Sequence, residues 1–368
     1  MRRTVSLLLI AVLTLGAGAA APASIGHATA AGARIPNLTA VDFFDAQHGW
    51  VGGNGIYATT DGGTHWTRQY AGATAIAGIA FGDRTHGWAW GDTYTKPPLL
   101  LHTTDGGAHW TPQPSTQPVA SLQAVGAQGG YAVLGMGPGG SLVRTTDGGV
   151  HWHVMSTPKP VTSACFINAA NGWAIELQGD TVLRTTNGGR TWTQRLSAGS
   201  NFQYGGQIAC IGTQNVWALL YGGVGMNQRS YSLFHTADAG LHWRAVVALT
   251  SAGGGPAPGN TGGAARGADG EGIQLDAVSA GTAFLVSGCP PCGGAGETYL
   301  GSTHDSGSTW HTSPPIPHLD FSPTGISFTS DRQGWLASTI FTSLSAGTRA
   351  GMLLSTGNGG ATWTVRHL

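Results

Sequence analysis

The sequence contains few charged residues. Only 9% of its 368 residues are Asp, Glu, Lys or Arg, against roughly 25% in an average globular domain. Lysine occurs only at Lys96 and Lys159, and 17 basic residues balance 17 acidic ones. This scarcity excludes a surface dominated by ion pairs. The absence of a basic excess excludes the electrostatic footprint of a nucleic-acid-binding protein.

The sequence also lacks a helical periodicity and a long apolar run. Its most apolar stretch, 5–15, is shorter than the ~20 residues that a membrane-spanning helix needs. Two arginines precede this stretch and an A-x-A cleavage motif follows at 28–30. We interpret 1–30 as a signal peptide, and expect a secreted or cell-surface protein with no transmembrane segment after cleavage. An uncleaved anchor is the alternative interpretation.

Glycine, by contrast, is abundant, with 61 residues, and 13 of these belong to the copies of an eight-residue motif that we call the box. The seven boxes are TTDGGTHW (59–66), TTDGGAHW (103–110), TTDGGVHW (145–152), TTNGGRTW (185–192), TADAGLHW (236–243), THDSGSTW (303–310) and TGNGGATW (356–363). Asp and Asn side chains accept hydrogen bonds from nearby backbone N–H groups, and glycine permits positive φ. The pattern is therefore typical of a tight hairpin turn. Its structural positions are Asp61, Trp66, Asp105, Trp110, Asp147, Trp152, Asn187, Trp192, Asp238, Trp243, Asp305, Trp310, Asn358 and Trp363.

A second element, which we call the dyad, repeats independently of the box. It is a small residue followed by an aromatic residue, 16 to 28 positions before each box Trp. The seven dyad aromatics are Trp50, Trp88, Tyr131, Trp173, Trp217, Phe284 and Trp335. Boxes and dyads together account for every tryptophan except Trp90. We therefore expect tryptophan to form the core of each repeat rather than a ligand cage.

Each repeat divides into four short strands, a to d, with the dyad on b and the box between c and d. Repeats of ~40 residues with four strands are typical of β-propellers. We predict an all-β, seven-bladed β-propeller of four-stranded antiparallel blades over 31–368, with a six-bladed ring containing one degenerate repeat as the alternative. The predicted blades are approximately 36–70, 74–114, 119–156, 160–196, 205–248, 273–314 and 323–368, with a glycine-rich loop insertion at 252–272.

The boxes resemble the BNR or Asp-box repeats of sialidases, sortilin-type receptors and related propellers. The added dyad, as in FFDAQHGWVGG (43–53) and FGDRTHGWAWG (81–91), is more similar to propellers of the photosystem II stability/assembly factor family. The resemblance covers about 36–368. The resemblance implies that the box residues are structural and not catalytic. It also implies that the protein acts as an assembly or stability factor. We expect no cofactor and no metal, because six of the 14 histidines follow repeat positions and no three of the others share the spacing of metal ligands.

A sialidase-type glycosidase is the enzymatic alternative. Arg34-Ile35-Pro36 resembles the motif with which sialidases begin, where the arginine helps to hold the substrate carboxylate. Asp42 and Asp276 both lie eight residues before a dyad aromatic, on strand a near the central channel, where two carboxylates could act as a general acid and base. Bonding of both to neighbouring backbone is the interpretation that we favour. Convergence of either, or of Glu297, with Arg34 would favour the enzyme.

The four cysteines predict two disulfides in an exported protein. Cys165 and Cys210 lie on strand a of adjacent repeats, eight and seven residues before their dyad aromatics. This one-residue offset places them on opposite sheet faces, so neighbouring blades would turn the thiols toward each other. We therefore predict a bond between blades 4 and 5. Cys289 and Cys292 are expected to form a structural disulfide within a glycine-rich loop.

Loop lengths predict where a partner binds. The a-to-b turns and boxes would lie on one uniform face, whereas the long loops of blades 5 to 7 would open on the opposite face, and binding residues concentrate in such loops. We expect a monomeric, non-catalytic binding or scaffold protein whose partner is a protein or a polysaccharide. The candidate contact residues are Tyr221, Arg229, Tyr231, Glu297, Tyr299, Phe341 and Arg349. Thirteen histidines remain after leader removal, which also predicts attachment to anionic polymers in acid.

Overall fold

The computed structural model describes residues 37–72, 74–92, 97–135, 140–177, 180–199, 205–225, 228–251, 253–267, 270, 272–288, 298–316, 323–343 and 348–368, with the backbone alone at 340–343, 348 and 349. The predicted signal peptide, the Arg34-Ile35-Pro36 motif, Cys289, Cys292 and Glu297 lie outside these residues. No helix occurs among them, and so none that is long and apolar enough to cross a membrane.

The described secondary structure consists of 29 strands. Those of the first four sheets are β1 (Ala40–Phe43), β2 (Gly49–Gly53), β3 (Gly55–Thr59), β4 (Thr67–Tyr70), β5 (Ile76–Phe81), β6 (Gly87–Gly91), β7 (Leu100–Thr103), β8 (Thr111–Pro112), β9 (Val119–Val125), β10 (Gly129–Leu134), β11 (Ser141–Thr145), β12 (His153–Val154), β13 (Val161–Phe166), β14 (Gly172–Glu176), β15 (Thr181–Thr185) and β16 (Thr193–Ser197). Those of the last three are β17 (Gly206–Ile211), β18 (Asn215–Gly225), β19 (Gln228–Thr236), β20 (Arg244–Leu249), β21 (Ala265–Arg266), β22 (Gln274–Ala277), β23 (Ala283–Gly288), β24 (Thr298–Thr303), β25 (His311–Thr312), β26 (Pro323–Phe328), β27 (Gly334–Ser343), β28 (Thr348–Thr356) and β29 (Thr364–Arg366).

These strands form seven sheets, each built from consecutive strands in chain order. Six sheets have four antiparallel strands, and the fifth has one strand more. The first strands of successive sheets contact one another around a ring, and β1 meets β26. The predicted seven-bladed β-propeller is confirmed, and the six-bladed alternative is wrong.

The ring closes through side chains and not through an exchanged strand. Phe43 of blade 1 stacks on Trp335 of blade 7, with ring centroids 3.6 Å apart. The backbone N–H of Phe43 donates to the Ser327 hydroxyl at 2.9 Å, and the Thr324 hydroxyl donates to the Leu38 carbonyl at 2.8 Å. Because the sheets of blades 1 and 7 each use only their own strands, closure relies on such contacts.

The same aromatic stack recurs at other junctions and explains the glycine of the dyad. A phenylalanine at the end of strand a stacks on the dyad aromatic of the preceding blade in four pairs, at 3.4–3.7 Å: Phe43 on Trp335, Phe81 on Trp50, Phe166 on Tyr131 and Phe328 on Phe284. Each phenylalanine also covers the dyad glycine of its own blade, where a Cβ would lie 2.3–2.5 Å from the ring: Gly49, Gly87, Gly172 and Gly334. Glycine therefore precedes the dyad aromatic in blades whose strand a ends in phenylalanine.

The predicted insertion at 252–272 contains a strand that packs on blade 5, and so is not only a loop. Its strand β21 pairs in parallel with β20, and the N–H of Gly267 donates to Ala248 O at 3.0 Å. The Ser230 and Ser232 hydroxyls of β19 donate to carbonyls of the insertion, at Gly254 (3.1 Å) and Pro258 (2.6 Å). The two serines, which alternate along β19, thus attach the insertion to blade 5. The pairing of β21 with β20 was not predicted, because the insertion is rich in glycine.

Candidate functional site

The boxes form seven turns with the same hydrogen bonds. In blade 1 the Thr59 hydroxyl donates to Asp61 Oδ1 at 2.8 Å and accepts from Gly63 N at 2.9 Å, while Asp61 Oδ1 also accepts from His65 N. The first box glycine, Gly62, donates its N–H to Gln47 in the a-to-b turn of the same blade. All of these bonds recur in the other six blades. Boxes and a-to-b turns therefore share one face, which we call the box face.

The box carboxylates are held ionised. The backbone N–H of His109, and then its imidazole, lower the pKa of Asp105 to about 2, and the backbone N–H of Thr309 has the same effect on Asp305. Such a group cannot supply a proton near neutral pH. In blade 4 the carboxylate is replaced by Asn187, whose Nδ2 donates to the hydroxyl of Thr191 at 2.8 Å. The turn forms without an acid, which supports a structural role.

The two carboxylates proposed for acid and base work are bound to neighbouring blades. Asp42 Oδ2 accepts from Phe81 N of blade 2 at 2.7 Å, and Asp276 Oδ2 accepts from Phe328 N of blade 7 at 2.5 Å. Both carboxylates are buried. This is the backbone-bonding role that the sequence analysis favours.

The same kind of inter-blade bond, which we call a clasp, occurs at six of the seven junctions in the described part of the ring. Gln123 Oε1 accepts from Phe166 N at 2.6 Å, Gln207 Oε1 from Leu275 N at 2.9 Å, and the Ser327 hydroxyl from Phe43 N at 2.9 Å. Between blades 4 and 5 the clasp is covalent. Cys165 and Cys210 form the disulfide that their offset predicts, with Cα atoms 6.0 Å apart.

Two of the predicted contact residues are not accessible to a partner. Tyr221 is 4% exposed and Tyr231 is completely buried. The Tyr221 hydroxyl donates to the carbonyl of Ile273 in blade 6 at 3.0 Å, and burial raises the pKa of Tyr221 to about 12. Both rings belong to the core of blade 5. We therefore remove them from the candidate contact surface, since a stacking platform must be exposed.

Arg229 and Tyr299 are the predicted contact residues that the structure leaves partly exposed. The Arg229 guanidinium lies 4.9 Å from the Tyr221 ring centroid, and its backbone N–H donates to Gly270 O of the insertion. Arg229 is in register with Val224, a residue that is 39% exposed. Phe341 and Arg349 are backbone partners across β27 and β28.

The b-to-c hairpins of blades 5 and 7 are longer than those of the first four blades. In blade 5, β18 has 11 residues and β19 has 9. In blade 7, β27 has 10 residues and β28 has 9. The corresponding strands of blades 1 to 4 have four to six residues. These two hairpins therefore extend the face opposite the boxes, which we call the hairpin face.

The sequence analysis missed grooves between blades on the box face. One such groove, of about 430 Å³, lies between blades 6 and 7 and is lined by His304, His311, Arg332 and Asn358, among others. In the described residues no group of three or more His, Cys, Asp or Glu side chains could hold a metal ion.

Comparison with protein families supports the resemblance drawn from boxes and dyads. Residues 33–155 match the model of a family described as photosynthesis system II assembly factor YCF48. The predicted resemblance to that family is confirmed over this third of the chain. No curated protein matches the chain.

Solved structures show the same fold at low sequence identity. A YCF48 bound to D1 peptide is 17% identical with a TM-score of 0.54, over 91% of this chain and 93% of that one. YCF48 from Cyanidioschyzon merolae is 18% identical with a TM-score of 0.57, over 89% and 96%. An ancestral GH74 enzyme is 16% identical with a TM-score of 0.56, over 94% of this chain but 48% of the enzyme. At these identities the likeness establishes the propeller fold.

Proposed function

We propose that the protein is an exported, monomeric, non-catalytic propeller that binds an extended peptide of a protein client on the hairpin face of blades 5 to 7. The observation that carries this proposal is the match of residues 33–155 to the assembly-factor family. A structure of similar fold holds a D1 peptide. We transfer from it the ligand class, a segment of another protein, and not a particular partner.

The use of the inner-strand carboxylates supports a non-catalytic role. A glycosidase needs two carboxyl groups that face a substrate, one of them able to give a proton. Asp42 and Asp276 instead bind the backbone of the next blade, at the junction between blades 1 and 2 and at the junction between blades 6 and 7. Each bond satisfies an N–H that would otherwise be buried without an acceptor. Their role in the ring accounts for the presence of both residues.

Arg229 gives the hairpin face a cation suited to peptide recognition. Its guanidinium lies over the buried Tyr221 ring and its backbone is tied to the insertion, so little side-chain freedom remains to be lost on binding. The neighbouring Val224 adds an exposed apolar group. An arginine beside an apolar contact suits a peptide with an acidic or terminal carboxylate next to an apolar residue.

The direct test is fluorescence anisotropy with a labelled D1 peptide and a library of overlapping peptides. We expect binding that Arg229→Ala weakens about tenfold, the effect of losing one charge-assisted contact. Arg68→Ala is the matched control, because Arg68 also lies over a tyrosine, Tyr57 at 5.8 Å, but in blade 1. Equal losses in both variants would contradict the assignment to blades 5 to 7.

A glycan array and a hydrolysis screen on the same preparation separate the alternatives. If glycans bound and no peptide did, the partner would be a polysaccharide and not a protein. Release of sugar that is abolished by Asp42→Asn would favour the sialidase-type enzyme and overturn the non-catalytic role. Mass spectrometry of the secreted protein tests export. We expect its N-terminus to lie near residue 31, after the predicted signal peptide.

A further inference from the structure

Two buried histidines occupy equivalent positions in blades 2 and 5. His102 and His235 each precede the first box residue, and each pairs across the sheet with the dyad tryptophan of its own blade, Trp88 or Trp217. The imidazole and indole centroids lie 4.2 and 4.1 Å apart. The two histidines are 6% and 5% exposed. Both imidazoles therefore lie within the fold, unlike the exposed histidines inside the boxes.

Neither buried imidazole has an acceptor for the proton that it would gain in acid. The Nε2 atoms of both are buried, and they have no hydrogen-bond partner in the part of the chain that the structure describes. A neutral imidazole can keep Nε2 unprotonated, whereas an imidazolium carries an N–H there that must donate. The box histidines differ, since His65 Nδ1, for example, lies 2.6 Å from Asp61 Oδ2. A proton on His102 or His235 would be buried without an acceptor, which costs free energy.

The charged groups around His102 do not compensate for such a proton. Among the described residues these groups are His86 in the a-to-b turn and Asp105, His109 and Asp147 in the cleft between blades 2 and 3. Both carboxylates already bind the histidine of their own box at 2.7 Å. Burial, and then the charge of His86, lower the pKa of His102.

The electrostatic neighbour of His235 is another cation. Arg244 pairs with His235 across β19 and β20, and its guanidinium donates to Ser306 O in the blade 6 box at 2.8 Å. Asp238 and Asp305 of the flanking boxes are bound within their own turns. The dyad indole would favour an imidazolium, but this cation would lie next to the guanidinium that holds the junction. Burial, and then the charge of Arg244, lower the pKa of His235 to about 4.

Blades 3 and 4 have arginine at the position of these histidines, and arginine extends toward the next box. The Arg184 guanidinium lies 5.3 Å from the Trp173 ring, and its Nη1 donates to Ala239 O in the blade 5 box at 3.4 Å. Arg144 lies over Tyr131 at 5.8 Å. Both arginines are partly exposed. The longer side chain places its charge near solvent, whereas histidine would place a charge in the buried base of the cleft.

The two histidine junctions divide the ring into two groups of blades. His102 lies against Gly148 in the box of blade 3, where a Cβ would lie 3.0 Å from the imidazole Cε1. By the same register His235 faces the box of blade 6, and Trp217 beside it contacts Trp310 of that box. The junctions among blades 3 to 5 have arginine at this position and include the disulfide. In blades 6, 7 and 1 the equivalent residues do not titrate: Ser302, Ser355 and Ala58.

We propose that acid loosens the junctions between blades 2 and 3 and between blades 5 and 6, so that blades 3 to 5 move as one unit relative to the other four. An accessible imidazole binds protons below about pH 6.5. The closed junction of His235 therefore contributes fully to stability above that pH and loses this contribution as the pH falls toward 4. Box carboxylates such as Asp105, with a pKa of about 2, remain ionised in this range.

Amide hydrogen exchange of the full chain at pH 5.0 and 7.5, read by mass spectrometry, tests the proposal without reference to the peptide surface. After correction for intrinsic exchange rates, we expect the blade 6 box (303–310) to open on the order of 30-fold more at pH 5.0. This is the factor that linkage gives for an imidazole that titrates near 6.5 when open and near 4 when closed. The blade 3 box (145–152) should change in the same direction, and the boxes of blades 1 and 4 should not.

Two variants assign the response to the buried imidazoles. His102→Gln and His235→Gln each keep a polar side chain that does not titrate, and each should abolish the acid response at its own junction alone. His65→Gln, at an exposed box histidine, is the control and should preserve both responses. If a glutamine variant does not fold, His102→Ser or His235→Ser takes its place, because blades 6 and 7 have serine there.

Three results would overturn the proposal. The first is equal protection of the blade 3 and blade 6 boxes at the two pH values. The second is an acid response that survives both substitutions, because another group would then be the one that titrates. The third is an equal response in all seven boxes, which would mean that acid unfolds the whole ring and does not act at two junctions.

Discussion

The junction between blades 2 and 3 differs from the other six. At the other junctions an inner-strand side chain of one blade bonds to the next blade, through a carboxylate, an amide, a hydroxyl or a disulfide. The equivalent position in blade 2 is Ala80, and it faces Ala124 of blade 3 within an apolar cluster. That cluster contains Trp88 and Trp90, both almost completely buried.

The comparison shows two ways to join blades. A polar clasp is directional and satisfies a buried N–H, so it fixes the register between two inner strands. Aromatic packing supplies more buried apolar area but little directional preference. Trp90, the tryptophan outside the boxes and dyads, lies in the junction that lacks a clasp. Its ring occupies the space above Gly78, where a Cβ would collide with it.

The largest expected effect comes from the covalent clasp. Replacing both Cys165 and Cys210 by alanine releases a loop of 45 residues, and we expect the free energy of unfolding to fall by about 4 kcal/mol. Urea denaturation of the oxidised proteins measures the loss. The double variant retains Cys289 and Cys292, so any remaining effect of reductant belongs to that pair. A change below about 1 kcal/mol would show that the disulfide does not constrain the unfolded chain.

The aromatic stack at a clasped junction is tested by Gly49→Ala. The added Cβ would lie 2.4 Å from the Phe43 ring, which is itself stacked on Trp335. We expect a loss of about 2–3 kcal/mol from overpacking at the ring closure. Gly130→Ala is the control, because strand a of blade 3 ends without phenylalanine and the nearest atom lies at 3.2 Å. Similar losses in both variants would refute our explanation of the dyad glycine.

A polar clasp is tested by Asp42→Ala. The substitution leaves Phe81 N without its acceptor in a buried strand, and we expect a loss of about 2 kcal/mol. Asp42→Asn keeps an acceptor and should lose less. Chemical denaturation measures both variants. If Asp42→Ala left stability unchanged, the carboxylate would need another role, and the catalytic alternative would gain support.

The repeats predicted the fold because each box and dyad performs the same local task in every blade. The disulfide was predictable because one residue of offset decides which sheet face a thiol occupies. The clasps had a signal, since the residues eight before the dyad aromatic include Asp42, Gln123, Cys165, Asp276 and Ser327. Their bonds could not be derived, because they depend on the distance between blades.

The candidate contact surface was harder to predict. Tyr221 and Tyr231 lie on a hairpin whose length suggested that they are exposed. However, the insertion at 253–267 packs on their blade, and the Tyr221 hydroxyl donates a hydrogen bond to the carbonyl of Ile273 in blade 6. Sequence periodicity gives the face of a strand on which a side chain lies. It does not show which segment, distant along the chain, packs over that face.

The smallest expected effect is a gain, from installing a clasp at the junction that lacks one. Ala80 pairs with Trp88 as Ser327 pairs with Trp335, and the Ser327 hydroxyl accepts from Phe43 N at 2.9 Å. By this equivalence the hydroxyl of Ala80→Ser faces the N–H of Ala124. A net hydrogen bond contributes about 0.5–1 kcal/mol, and the added volume is one oxygen atom. Ser327→Ala is the reverse substitution and should lower stability by about 1 kcal/mol. Urea midpoints that move in opposite directions support a common clasp position, whereas destabilisation by Ala80→Ser would mean that the apolar junction holds its inner strands in a different register.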